Sequence, residues 1–173
     1  MDSMSDTNRM REVRILVLGT CHEYQRFQQD NDANRHRIRR EFETEICRIV
    51  ESENIDLIAE EAGDDKAVAA SLTAQGYPQS PQEPIAKKVS HNRCRHIDIR
   101  PPGDHGADDD YERKMVDFTV KHLGEAVKVL VIVGKDHRCS VARRFFERGF
   151  RTDTLQFPAL ALRVLKSCAQ KRL

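Results

Sequence analysis

The stretch VLVIVGKDHRCS, residues 129–140, decides how the rest of the chain is read. Five apolar residues, Val129 to Val133, run into Gly134, and His137 follows three places on. An unbroken apolar run of this length, bounded by turn chemistry, is the pattern of a strand buried on both faces, as in a parallel sheet covered by helices. A glycine directly after it permits a sharp turn through torsions closed to other residues, so the histidine is expected to fold back over the strand end. The layout occurs again in ILVLGTCH, residues 15–22, with Gly19 and His22 at the same spacing. With 8 glycines and 7 histidines in 173 residues, about 0.3 G-x-x-H matches are expected by chance. Two matches, each directly after a strand, therefore carry weight.

Outward from these copies the chain alternates strand and helix. VRILVL (13–18), DLIAEE (56–61), HIDIR (96–100), KVLVIV (128–133) and FRTDTLQF (150–157) read as five strands, the third stopped by Pro101 and Pro102. Between the first two, ANRHRIRREFETEICRIVES puts Ile38, Phe42, Ile46, Ile49 and Val50 on one helical stripe. A second helix is expected over 64–74, ending at Gly76, and GYPQSPQEP (76–84) is a loop. The acidic run DHGADDD (104–110) opens a helix carrying Tyr111, Met115, Val116, Val120 and Leu123. SVARRFFERG buries Val141, Ala142, Phe145 and Phe146 and ends at Gly149, and ALALRVLKSCAQKRL (159–173) forms a terminal helix. The pattern predicts a three-layer α/β fold, a largely parallel sheet of about five strands with helices on both faces.

Composition narrows the function. A net charge of +1 gives no overall pull toward nucleic acid or an anionic membrane. No apolar run reaches the eighteen or so residues of a membrane span, and MDSMSDTNRMR (1–11) reads as a disordered tail without a signal-peptide core. Residues 12–173 are read as one domain. Cys21, Cys47, Cys94, Cys139 and Cys168 are odd in number and contain no C-x-x-C pair, which points to a reducing cytoplasm.

In a parallel sheet, ligands bind beyond the carboxyl ends of the strands. The residues there are His22, Glu60 and Glu61, Asp98 and Arg100, and His137. Two imidazoles and a carboxylate are a ligand set for catalytic Zn²⁺, Mn²⁺ or Fe²⁺ that leaves a position open for water, whose pKa the ion lowers. Glu60 and Glu61 face opposite sides of a strand, so one of them joins this group. Glu60 or Asp98 is a base, and Arg100 a stabiliser of developing negative charge. The bland alternative is that each histidine caps the following helix or bonds the backbone.

At these residues the chain resembles the TraB/Tiki family, with its PrgY, GumN, ChaN-like and erythromycin-esterase-like relatives. LGTCH and VGKDH look like that family's paired GxxH motifs, and DLIAEE like its second strand, ending in a glutamate that aligns with Glu61. HIDIRPP is similar, more weakly, to a later strand carrying Asp or Arg. The resemblance implies a mixed α/β fold, a site built from His22, His137 and Glu61, and metal-dependent peptide hydrolysis as in the Tiki branch. Other branches hydrolyse esters or bind haem.

Two further readings come from the residues. A cysteine hydrolase would use Cys21, beside His22, or Cys139 at a helix start. A non-enzymatic module would hold a small anion with helix amino ends, Lys135 and Arg138. HNRCRH offers His91, Cys94 and His96 but lacks a fourth ligand, and the arginines of NRHRIRR read as solvated surface. The expected partner is thus a small-molecule or peptide substrate.

Overall fold

The computed structural model describes residues 12–26, 32–62, 83–101 and 109–157, with isolated helical positions at 70, 73 and 74. The strands are β1 (Arg14–Thr20), β2 (Leu57–Glu60), β3 (Arg95–Asp98), β4 (Lys128–Gly134) and β5 (Arg151–Gln156). The helices are α1 (Ala33–Glu53), α2 (Ile85–Ser90), α3 (Asp109–Lys121) and α4 (Arg138–Glu147), and a single 3₁₀ turn, His22–Tyr24, follows β1. The expected helix over 64–74, most of the loop over 76–84, the tail over 1–11 and the terminal helix over 159–173 lie largely or wholly outside the described residues.

Every strand pairing is parallel, in the order β3-β2-β4-β1-β5. β1 and β4 lie inside the sheet and are buried along almost their whole length, which is why their sequences are continuously apolar rather than alternating. Asp56 fastens the amino ends of three strands. Its Oδ2 accepts from Val127 N at 3.0 Å and Lys128 N at 2.9 Å, and its carbonyl accepts from Arg95 N at 3.1 Å.

Right-handed crossovers convert strand order into layers. The steps β1 to β2 and β2 to β3 run one way along the sheet, and β3 to β4 and β4 to β5 run the other. The first pair of helices therefore covers one face and the second pair the opposite face. The two cores match this: Phe42, Ile46, Ile49, Ile85 and Val89 pack on Leu18, Ile58 and Ile132. On the other face Met115, Val116, Val141 and Phe145 pack on Val17, Leu57 and Val131. The connection leaving β4 passes over the face opposite to those leaving its neighbours β1 and β2, so a crevice between diverging connections opens at its carboxyl end.

Three expectations need correction. Gly19 and Gly134 do not take left-handed torsions; among described glycines only Gly124 and Gly149 have positive φ. Phe146 is exposed rather than inward, because α4 buries only Val141, Ala142 and Phe145. Arg39 is not surface: it is fully buried, and its Nε donates to Glu23 O at 2.9 Å, so the guanidinium props the turn after β1. α2 was not anticipated; at six residues it is too short to show a helical period.

Candidate functional site

β1 and β4 are in register with Thr20 opposite Gly134, so both G-x-x-H segments leave the sheet at one level. After β1 the chain closes a 3₁₀ turn through Tyr24 N to Cys21 O at 3.0 Å and Gln25 N to His22 O at 3.1 Å. After β4, His137 N donates to Gly134 O at 3.0 Å, and Val141 N to His137 O at 2.9 Å opens α4. His137 occupies the cap position of that helix, yet its side chain makes no capping bond.

The imidazole of His137 is turned to α3 instead, where its Nδ1 donates to Glu112 Oε1 at 2.9 Å. His22 is held alike by an uncharged acceptor, its Nδ1 donating to Gln25 Oε1 at 2.8 Å. An oxygen acceptor on Nδ1 fixes the tautomer and leaves the Nε2 lone pair directed away from the supporting residue. The two rings converge above Gly134. A Cβ built on that glycine would stand 2.9 Å from His22 Nε2 and 3.3 Å from His137 Cδ2. Close approach of two rings, not an unusual backbone torsion, is what requires glycine here.

Glu61 is the third member. It lies just beyond β2, where its N–H still donates to Ile132 O at 2.8 Å, and it is buried. Tyr111 Oη donates to Glu61 Oε1 at 2.7 Å and Gly134 N to Oε2 at 2.8 Å. Burial and this bond push the Tyr111 hydroxyl well above its ordinary pKa of 10.0, so it stays a donor. Glu61 Oε2 stands 3.7 Å from His22 Nε2, too far for a hydrogen bond.

Glu60 points to the other face, fully buried, and shares a 2.8 Å hydrogen bond with His96 Nε2. Burial raises its pKa, with His96 and Arg26 pulling the other way, and its Oε1 has no hydrogen-bond partner. Asp98 is an exposed residue at the end of β3 whose Oδ1 accepts from Arg100 N at 3.0 Å and Ala62 N at 3.4 Å. The structure thus places His22, Glu61 and His137 around Gly134, leaves Glu60 on the opposite face, and sets Asp98 and Arg100 to one side. Glu112, Gln25 and Tyr111 are additions; Gln25, three residues after His22, and Glu112, one after an inward tyrosine, were the available signals.

Arg138 does not offer its charge to the crevice. It lies over Gly19, where a Cβ would meet its own Cβ at 3.0 Å, and its Nη1 donates to Gln156 Oε1 at 2.7 Å. Cys21 is half-buried and Cys139 exposed. His91, Cys94 and His96 do not converge: His91 pairs with Glu83 at 3.1 Å, His96 with Glu60, and Cys94 packs on the core. Among the described residues no group of three or more His, Cys, Asp or Glu side chains is placed so as to hold a metal ion. No helix among them is long and apolar enough to cross a membrane. Comparison with family models, curated proteins and solved structures gave no match for this chain.

Proposed function

We propose that this chain is a metal-dependent hydrolase of peptide or ester bonds, with its reacting centre at the carboxyl ends of β1, β2 and β4. The observation that carries the reading is the convergence of two Nδ1-anchored imidazoles above Gly134, with the Glu61 carboxylate alongside. His22, Glu61 and His137 would hold the ion. The fit rests on donor chemistry and on one spacing: donors on a tetrahedral ion with bonds of about 2.0–2.2 Å lie roughly 3.4 Å apart. The 3.7 Å between His22 Nε2 and Glu61 Oε2 is close to that value. Two electron-rich atoms facing each other across this gap repel unless a cation or proton lies between them.

Bound there, a divalent ion would polarise the scissile carbonyl and lower the pKa of water. The protein's own groups do the rest. Tyr111 and the Gly134 amide fix both oxygens of Glu61, and Gln25 and Glu112 fix the two rings, so little reorganisation is left for the reaction. The half-exposed face of His22 leaves the centre open to substrate.

The test is metal content. Protein purified without chelator and titrated calorimetrically with Zn²⁺ or Mn²⁺ is expected to bind about one ion per chain, at least tenfold more weakly after His22→Ala or His137→Ala. Hydrolysis of a nitrophenyl ester or a fluorogenic peptide should follow occupancy. Wild-type protein that binds no divalent ion would end the proposal.

A further inference from the structure

A second feature lies beside this centre. A cavity of about 360 Å³ opens between the carboxyl end of β3 and the outer face of α3. Its floor is apolar, made by Ile99, Pro101 and the part-exposed ring of Phe118. Phe118 and Lys121 stand three residues apart on α3, so ring and ammonium share one helical face.

The charges in this wall are not equivalent. Asp117 is engaged by Arg148, Lys114 by Asp110 at 2.6 Å, and Asp98 accepts backbone N–H groups. Lys121, which closes α3, has no ion-pair or hydrogen-bond partner among the described residues. Arg100 lines the same wall and acts electrostatically on Tyr111, the donor to Glu61. Asp98 ties the cavity to the residue after Glu61 through Ala62 N. The volume falls within the range of small-molecule sites, which are apolar with a few placed polar groups.

We infer that this cavity binds the apolar body of a small monoanionic compound, an aromatic or short-acyl carboxylate, with Lys121 receiving its charge. The inference rests on the hydrolase reading in one respect only: it makes such an anion the substrate class of the neighbouring centre, with the scissile bond toward Glu61. A neutral ligand would leave the unpartnered ammonium without a counterpart, and a dianion would meet Asp117 and Asp98 in the same wall.

The probe is 2-naphthoate, compared with neutral 2-naphthamide, titrated into the full chain. Naphthoate is expected to bind at least tenfold more tightly than the amide. Lys121→Ala should abolish that preference, Lys121→Arg should keep it, and Phe118→Ala should weaken both ligands. Lys121 is exposed and Phe118 is 41% exposed, and a thermal melt of each variant verifies folding. Equal affinity for acid and amide, no binding of either, or a preference unmoved by Lys121→Ala would overturn the inference. His22→Ala separates the two proposals. It should remove metal and hydrolysis while naphthoate binding persists. A chain that binds naphthoate with this preference but no metal refutes the hydrolase and keeps the cavity.

Discussion

The two G-x-x-H segments are alike in sequence and differ in use. Gly134 makes room for a ring from the other copy, His22, whereas Gly19 makes room for Arg138, the residue that follows the other copy's histidine. Each glycine thus accommodates a side chain of its counterpart, and the copies interlock across the β1–β4 pairing. Beyond the glycines they diverge. His137 is largely buried and backed by a carboxylate; His22 is half exposed and backed by a carboxamide. The lesson is that a repeated motif marks a shared rim rather than two equivalent groups.

The sharpest way to break this comparison is to fill both glycines. Gly134→Ala puts a methyl 2.9 Å from the tip of an exposed ring, which moves aside cheaply but leaves the cluster. We expect a hundredfold or greater loss of hydrolysis and metal affinity, with Tm changed by no more than a few degrees. Gly19→Ala meets the Cβ of a helical residue, which cannot move without α4. Here the expected effect is overpacking, about 1–3 kcal/mol in denaturant melts, with metal binding kept. Equal effects at the two positions would refute the interlocking account.

A smaller effect tests the difference in backing. Glu112→Gln retains an acceptor for His137 Nδ1 but removes its charge, and a tenfold to hundredfold loss of metal affinity or kcat/KM is expected. Rate profiles against pH should change shape as well, which a packing defect alone would not cause. Unchanged affinity and rate would make the His137–Glu112 pair structural.

The smallest effect concerns the strand between the copies and the sheet edge, where two consecutive carboxyl groups meet opposite faces. The Glu60 pKa is raised above its ordinary 4.5, chiefly by burial. The folded state therefore retains a proton that the unfolded chain releases. That contribution is complete below pH 4.5 and is lost as pH rises through the raised value. Glu60→Gln should flatten this decline without altering metal binding. Each tenfold difference in proton affinity between the folded and unfolded chain is worth about 1.4 kcal/mol. Thermal melts from about pH 4 to 8 should show the two proteins diverging in slope; parallel curves would show no ionisation penalty at Glu60.

The strands and their parallel pairing were legible because full burial leaves an unmistakable mark: β1 and β4 are apolar without alternation. The opposed facing of Glu60 and Glu61 was legible for an equally local reason, the two-residue period of a strand. The supports were not. Gln25, Tyr111 and Glu112 act through contacts set by how helices and turns meet the sheet, and nothing in a one-dimensional pattern marks a carboxylate as buried. Arg39 misled for the same reason, since it interrupts a charged helical face and its burial depends on the Glu23 carbonyl. The glycine torsion failed because glycine answers two needs, and sequence does not tell close approach from left-handed backbone.

The place of β4, between β1 and β2 although it follows both, has a kinetic corollary. β2 can pair early with β3, but β1 has both of its neighbours, β4 and β5, later in the chain, so the rim shared by β1, β4 and β2 exists only once β4 has joined them. Whatever occupies that rim acts as a latch on the completed sheet, lowering the unfolded population and shielding the chain from proteases by an amount that grows with the logarithm of its free concentration above Kd.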